Sequence, residues 1–136
     1  MGYYEEVMGF EEDGLIVHAA IQTILHNVKV SAAVVRGQLI CRGTDGKYSP
    51  VTENADASKA LAIAARDFTP TEDNAVTQAY ARGCFSVEKV YVGDNPCYSL
   101  GHLDDVEILV GEAIDLETFR QALRSQGIWL TSLEGA

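Results

Sequence analysis

The residues best suited to nucleophilic chemistry lie close together in the C-terminal third of the chain. Cys97 and His102 are five positions apart, and Asp104 follows two positions later. A thiol, an imidazole that accepts its proton and a carboxylate that orients the imidazole would together make an activated nucleophile. However, the sequence has no GxSxG motif, and a catalytic triad is defined by its geometry and not by its spacing. We therefore expect these residues to be structural and the protein not to be an enzyme.

The remaining histidines and the carboxylates do not form a complete set of metal ligands. His18 and His26 are eight positions apart and no third ligand follows them, whereas catalytic zinc needs three protein ligands. The acidic cluster at residues 104–115 lacks the alternating oxygen ligands and the mid-loop glycine of a calcium-binding loop. Glycine-rich phosphate-binding motifs are also missing from the sequence. The expectation is a protein with no metal and no cofactor.

The cysteines indicate a reduced protein without a disulfide framework. Cys41, Cys84 and Cys97 are odd in number and have no CxxC spacing, which excludes both a disulfide scaffold and a structural zinc site. Cys41 and Cys84 lie inside apolar runs, where a thiol behaves as a small hydrophobic side chain. We interpret all three as structural.

Size and charge restrict the partners of the protein. A chain of 136 residues is long enough for one domain with one core. Twenty acidic residues against ten basic ones give a net charge of −10, which repels phosphate backbones and argues against nucleic-acid binding. The N-terminus is acidic, unlike a secretory signal, and polar residues interrupt the longest apolar stretch. We expect a soluble protein made in a cytoplasm, without a membrane segment.

Short apolar runs separated by turn signals predict a β-rich domain. The runs lie at residues 34–40, 48–51, 61–65, 76–80 and 85–92. Asp45-Gly46 between the first two predicts a hairpin with a type I′ turn, because that turn needs positive φ at both central residues. The positions expected to serve as structural turns are Gly37, Gly43, Asp45, Gly46, Gly83 and Gly127.

The two ends of the chain have different patterns. Residues 115–126 predict a helix with Asp115 as its N-cap and Gly127 as its left-handed stop, followed by a short final strand at residues 128–130. Residues 1–14 combine five carboxylates with aromatic side chains, and residues 15–30 are ambiguous between helix and strand, with a strand favoured at residues 28–30. We therefore predict a flexible arm at residues 1–30 and a β-rich domain at residues 31–136, which makes the fold mainly β with one C-terminal helix (α+β).

The order of these segments resembles the head decoration proteins of tailed bacteriophages, the family of the phage lambda capsid-stabilising protein. The resemblance covers residues 34–130, and the acidic N-terminus is not part of it. Four groups of residues carry the resemblance: Gly37, Leu39, Ile40, Gly43, Asp45, Gly46, Lys47 and Tyr48; Ala62, Ile63, Ala64 and Asp67; Arg82, Gly83 and Phe85; Leu123, Arg124, Gly127 and Ile128.

The resemblance implies a β-clip or β-tulip type domain that acts as capsid cement. Such a protein would bind the major capsid protein as homotrimers on the outer surface of the expanded head and stabilise it against internal DNA pressure. It would be part of the virion after synthesis in the host bacterial cytoplasm. A polyanionic domain without a catalytic centre fits this function, because binding only the assembled shell stabilises that shell.

We further expect the N-terminal arm to make the capsid contact. Residues 1–30 would become ordered on the shell and add a strand to an exposed edge of the capsid protein. The expected anchors are the apolar and aromatic residues Tyr3, Tyr4, Phe10, Leu15 and Ile16. Two alternatives are a small β-barrel binding module and another virion component, such as a fibre base or tail part, neither with enzymatic activity.

Overall fold

A six-stranded sheet with one packed helix forms the described part of this protein. The computed structural model describes residues 15–17, 23–86, 89–92, 95–96 and 116–131. Its strands are β1 (Ile24–Lys29), β2 (Leu39–Arg42), β3 (Tyr48–Pro50), β4 (Leu61–Ala64), β5 (Val76–Ser86), β6 (Tyr91–Val92), β7 (Asn95–Pro96) and β8 (Ile128–Thr131). A 3₁₀ helix spans Asn54–Ser58 and the α-helix α1 spans Leu116–Ser125. The prediction of a mainly β fold with one C-terminal helix is confirmed.

Strand order in the main sheet is β1-β5-β4-β2-β3, and the neighbours along this path are antiparallel. Strand β8 pairs in parallel with the second half of β5, and β6 and β7 form a separate two-stranded ribbon. Val30, directly after β1, bridges to Tyr48 at the start of β3. The first and last strands of the path therefore approach each other at this point, and the sheet is strongly curved.

The predicted hairpin is confirmed, but its turn is not type I′. Arg42 pairs with Tyr48 across the hairpin, and the Gly46 N–H donates to the Gly43 carbonyl at 3.0 Å. Within the described residues only Asn74 has positive φ outside glycine, so Asp45 does not have the backbone that a type I′ turn requires. Within this hairpin loop, Gly46 is the one residue with positive φ, at 82°. The loop therefore consists of a tight turn at residues 43–46 that ends in a left-handed glycine. Such a loop is longer than the two-residue type I′ loop and is the next most common connection in β-hairpins.

Strand β5 is continuous through Gly83, where the sequence predicted a turn. Gly83 has φ of 146°, a backbone conformation that residues with a Cβ rarely adopt. The β1–β5 register shifts between Ile24 and Leu25 at the same level. Beyond Gly83 the strand exchanges its partners, because Cys84 and Ser86 bond to residues 15–17 while Gly83 bonds to Gly127. The glycine thus allows one strand to belong to two differently oriented parts of the sheet.

Both faces of the central strands are buried. Alternation along β2 and β4 sends Leu39 and Ile63 into a large core cluster, and Ile40 and Ala62 into a smaller cluster on the other face. The large cluster includes Phe85 of β5 together with the helix residues Phe119 and Leu123. The smaller one is covered by residues between the strands, among them Val30, Val34 and Phe68. Because both faces are covered, β4 has the run of four buried residues Leu61–Ala64.

The C-terminal elements follow the sequence prediction closely. Helix α1 ends at Ser125, and Gly127 follows with φ of 89° as the predicted left-handed stop. Strand β8 then packs back on the core through Ile128 and Leu130, both buried. The proposed N-cap Asp115 and the rest of the acidic cluster at residues 104–115 lie outside the described residues. Within those residues no helix has the length and hydropathy needed to cross a bilayer.

The described residues of the range 1–30 are part of this sheet. Leu15 is only 1% exposed, and its carbonyl accepts the Ser86 N–H at 2.9 Å. Ile16 bridges to Phe85, and β1 occupies Ile24–Lys29. The arm hypothesis is consequently kept for residues 1–14 alone.

Candidate functional site

Of the five expected capsid anchors, the structure describes two. Leu15 is buried in the large core cluster, so its side chain is not available to a capsid partner, which corrects its assignment as an anchor. Ile16 is half-buried and packs against the same cluster. Both residues instead fix the end of the arm to β5. Tyr3, Tyr4 and Phe10 lie outside the described residues.

Among the expected turn positions, Gly37 holds the sheet through a close approach to another part of the backbone. Gly37 has φ of 89°, and a Cβ at this position would lie 2.5 Å from the Lys89 carbonyl oxygen. Its N–H donates to Ala64 and its carbonyl accepts from Tyr91, both at 2.9 Å. Gly37 therefore joins β4 to β6, and only glycine fits at this junction.

The two described cysteines have the environment of structural thiols. Cys41 in β2 and Cys84 in β5 are both buried and unpaired. Burial, together with the nearby Asp56 carboxylate, raises the pKa of the Cys41 thiol to about 11. Burial also raises the pKa of the Cys84 thiol. Since the thiolate is the nucleophile, both groups are poorly reactive at neutral pH.

The other residues considered for catalysis or metal binding are mostly outside the described part of the chain. This applies to Cys97, His102, Asp104 and His18. Among the described residues, no group of three or more histidine, cysteine or carboxylate side chains is placed to hold a metal ion. His26 lies exposed on β1.

Asp56 is a buried carboxylate that accepts several hydrogen bonds. It is 3% exposed, and it accepts hydrogen bonds from the Thr52 N–H at 3.0 Å and the Lys59 Nζ at 2.8 Å. Burial of Asp56 opposes ionisation, but these hydrogen bonds outweigh it and hold the pKa of the carboxyl below its usual value. The arrangement closes the loop between β3 and β4 and lies beside Cys41.

We expect Asp56 to make stability depend on pH in the acid range. A carboxyl whose pKa is depressed by folding stabilises the fold above its unfolded pKa of about 3.9, and this contribution is lost as pH falls through the folded pKa. The Asp56→Asn variant should therefore be less stable than wild type at pH 6, by about 1–3 kcal/mol for the lost charged hydrogen bonds. That difference should shrink at pH 3. Urea unfolding of both proteins at the two pH values measures it, and a difference independent of pH would contradict the assignment.

An open cavity of about 340 Å³ lies between the end of β1 and the loop before β5. Its lining combines Val30, Ser31 and Lys47 with the loop residues 70–74. Small-molecule sites are mostly apolar with a few convergent polar groups. Here the loop side is formed largely by exposed residues that include Glu72 and Asp73, so the cavity does not have the character of the pocket that a binding module would need.

A second surface combines an exposed aromatic ring with two cations. Trp129 on β8 is 40% exposed, and the Arg124 guanidinium carbon lies 5.2 Å from the centre of its ring. Arg82 of β5 is exposed and lies over Gly127, where an added Cβ would be 3.1 Å from its Cγ. We name Arg82, Arg124 and Trp129 the Arg–Trp surface.

Sequence reasoning missed this surface. The sequence predicts a short strand at residues 128–130 but does not distinguish Trp129 from its two neighbours. Successive side chains of a strand point to opposite faces of the sheet. Ile128 and Leu130 therefore face the core while Trp129 faces away from it, and this alternation could have identified Trp129 as exposed from the sequence. Tryptophan and arginine are the residue types most enriched at binding hot spots. The Arg–Trp surface is therefore the best candidate for a binding surface among the described residues.

No protein-family model matches this sequence, and a search of the curated proteins finds no match either.

Proposed function

We propose that this protein is a phage head decoration protein that binds the expanded capsid and stabilises it. The observation that carries the proposal is the arrangement of the four segments on which the resemblance rests. They lie in the β2–β3 hairpin, in β4, in β5 and in the unit of α1 and β8, and these are consecutive neighbours in the sheet. Segments that resemble one family in order along the chain thus form one continuous structural unit.

The finer fold assignment, a β-clip or β-tulip type domain, is part of the same proposal. The strong curvature of the sheet, the bent strand β5 and the bridge from Val30 to Tyr48 support it.

The proposed capsid contact is made by residues 1–14, in homotrimers bound to the major capsid protein on the outside of the head. Tyr3, Tyr4 and Phe10 supply the apolar anchors of this segment. Each contact is modest because the segment must become ordered on binding. Several segments in one trimer act together, and this multiplies a modest contact into tight binding.

A sedimentation assay on phage heads tests the proposal. The full-length protein is mixed with expanded heads and with unexpanded shells of the phage that carries the sequence, and the bound fraction is measured. Wild type should bind expanded heads alone and raise their resistance to heat or chelator. The Tyr3→Ala, Tyr4→Ala, Phe10→Ala triple variant should bind at least about ten-fold more weakly, because three anchors in each copy are lost.

The matched control replaces Val35 and Val76 by alanine. Both are exposed apolar residues of the β-domain, at 56% and 51%, and neither belongs to the proposed contact. This control should bind like wild type. Failure of wild type to bind expanded heads would overturn the proposed function, whereas equal binding by the triple variant would overturn only the role of the arm.

A further inference from the structure

The Arg–Trp surface has the chemistry of a site for an acidic and aromatic segment. An arginine stacked on a tryptophan ring keeps the N–H groups at its edge available to carboxylates. The exposed part of the Trp129 ring offers apolar area beside those donors. A ligand that fills such a surface carries carboxylates close to aromatic or aliphatic side chains.

Residues 1–14 of this chain have that composition. They contain Glu5, Glu6, Glu11, Glu12 and Asp13 without a lysine or arginine, and Tyr3, Tyr4, Val7, Met8 and Phe10 among them. The rest of the chain has fifteen acidic and ten basic residues, a net charge of −5, so on average it repels such a segment. Arg124 over the Trp129 ring, with Arg82 at Gly127 two residues before Trp129, is a favourable exception.

The segment is attached within reach of this surface. Its last residue precedes Leu15, whose carbonyl accepts the Ser86 N–H on one side of β5. On the other side of β5, Ser86 pairs with Thr131 of β8, two residues after Trp129. Two strand spacings amount to roughly 10 Å, and two residues along a strand add roughly 7 Å. A segment of 14 residues reaches roughly 45 Å when extended, so it spans this distance easily.

We propose that residues 1–14 bind the Arg–Trp surface of the same chain, with carboxylates on Arg82 and Arg124 and an aromatic side chain on Trp129. The short attachment makes the segment effectively concentrated at the surface, in the millimolar range typical of short tethers. The contact belongs to the free protein and does not depend on the proposed function. If the same segment binds a capsid, it exchanges this contact for the capsid, and the shell competes with the chain's own surface.

Trp129 reports directly on this contact because it is the only tryptophan of the chain. The experiment measures quenching of its fluorescence by acrylamide, an uncharged quencher, in the full-length protein at low ionic strength and in 1 M NaCl. The test variant replaces Glu5, Glu6, Glu11 and Glu12 by glutamine and Asp13 by asparagine. The control makes the equivalent replacements at the exposed acidic residues Glu53, Glu72 and Asp73, which lie in other loops.

In low salt the wild type and the control should show a protected Trp129, and the test variant a quenching constant at least about two-fold higher. The difference should disappear in 1 M NaCl, where the screening length is about 3 Å. Equal quenching of all three proteins in low salt would overturn the proposal. Protection that appears only as protein concentration rises would also overturn it, because the occupant would then be a second copy.

Discussion

Replacement of Gly37 by alanine is expected to lower the free energy of unfolding by roughly 3–5 kcal/mol. Two effects add in this variant. The left-handed backbone at φ of 89° costs a residue with a Cβ about 1–2 kcal/mol. The new Cβ would also lie 2.5 Å from the Lys89 carbonyl oxygen, which is backbone and must shift as a whole. Movement there strains the bonds from Gly37 to Ala64 and from Tyr91 to Gly37.

Gly46→Ala is the matched control for this prediction. Gly46 has nearly the same φ, at 82°, but an added Cβ would meet nothing within 4 Å. Only the backbone cost of about 1–2 kcal/mol should remain. Urea unfolding of the two variants separates the steric effect from the conformational one. Equal losses of stability would show that the Lys89 carbonyl moves aside freely.

Replacement of Phe119 by alanine is expected to cost about 3–5 kcal/mol, because a fully buried ring is removed from a packed core. Phe119 is 0% exposed and belongs to the same cluster as Tyr80 and Phe85, which themselves lie with their ring centres 5.3 Å apart. Alanine is the better helix former, so helix propensity cannot explain a loss. Phe119→Leu keeps most of the volume and should cost about 1.5 kcal/mol or less.

The measurement for Phe119→Ala follows unfolding by two signals. Trp129 fluorescence reports on β8, and far-ultraviolet circular dichroism reports on the whole sheet. Because the cluster joins α1 to the central strands, both transitions should move together to lower urea. A fluorescence transition that moves alone would mean that α1 and β8 unfold as a separate unit, contrary to the expectation.

Short sequence patterns correctly predicted the elements that depend on interactions between residues close together along the chain. The β2–β3 hairpin follows from Asp45-Gly46 between apolar runs, and the helix end follows from Gly127. The turn type could not be read from the same residues. Asp-Gly is compatible with a type I′ turn and with a longer loop, and pairing of Arg42 with Tyr48 selects the longer one.

The long-range features were not accessible to sequence reasoning. Gly83 reads as a turn because glycine interrupts an apolar run, but its actual role is to let β5 change partners without ending. That role depends on β8 and residues 15–17, which are distant along the chain. The mixed pattern of residues 15–30 likewise has its cause in β1, which lies at the edge with most side chains exposed and shows no clean alternation.

The candidate binding surface illustrates the same limit. Arg82, Arg124 and Trp129 come from a strand, a helix end and another strand, and parallel pairing of β5 with β8 brings them together. No spacing in the sequence encodes that pairing.

The pairing of β5 with partners from both ends of the chain also determines when this domain can fold. Leu15 and Leu130 belong to one core cluster, and both flank the same stretch of β5. Such contacts between distant residues have a high contact order, which slows folding because a long loop must close first. During synthesis the central strands must therefore wait for β8 to leave the ribosome. Until then, the apolar side of β5 around Phe85 lacks the cover that β8 provides, and exposed apolar surface of this kind favours aggregation of incomplete chains.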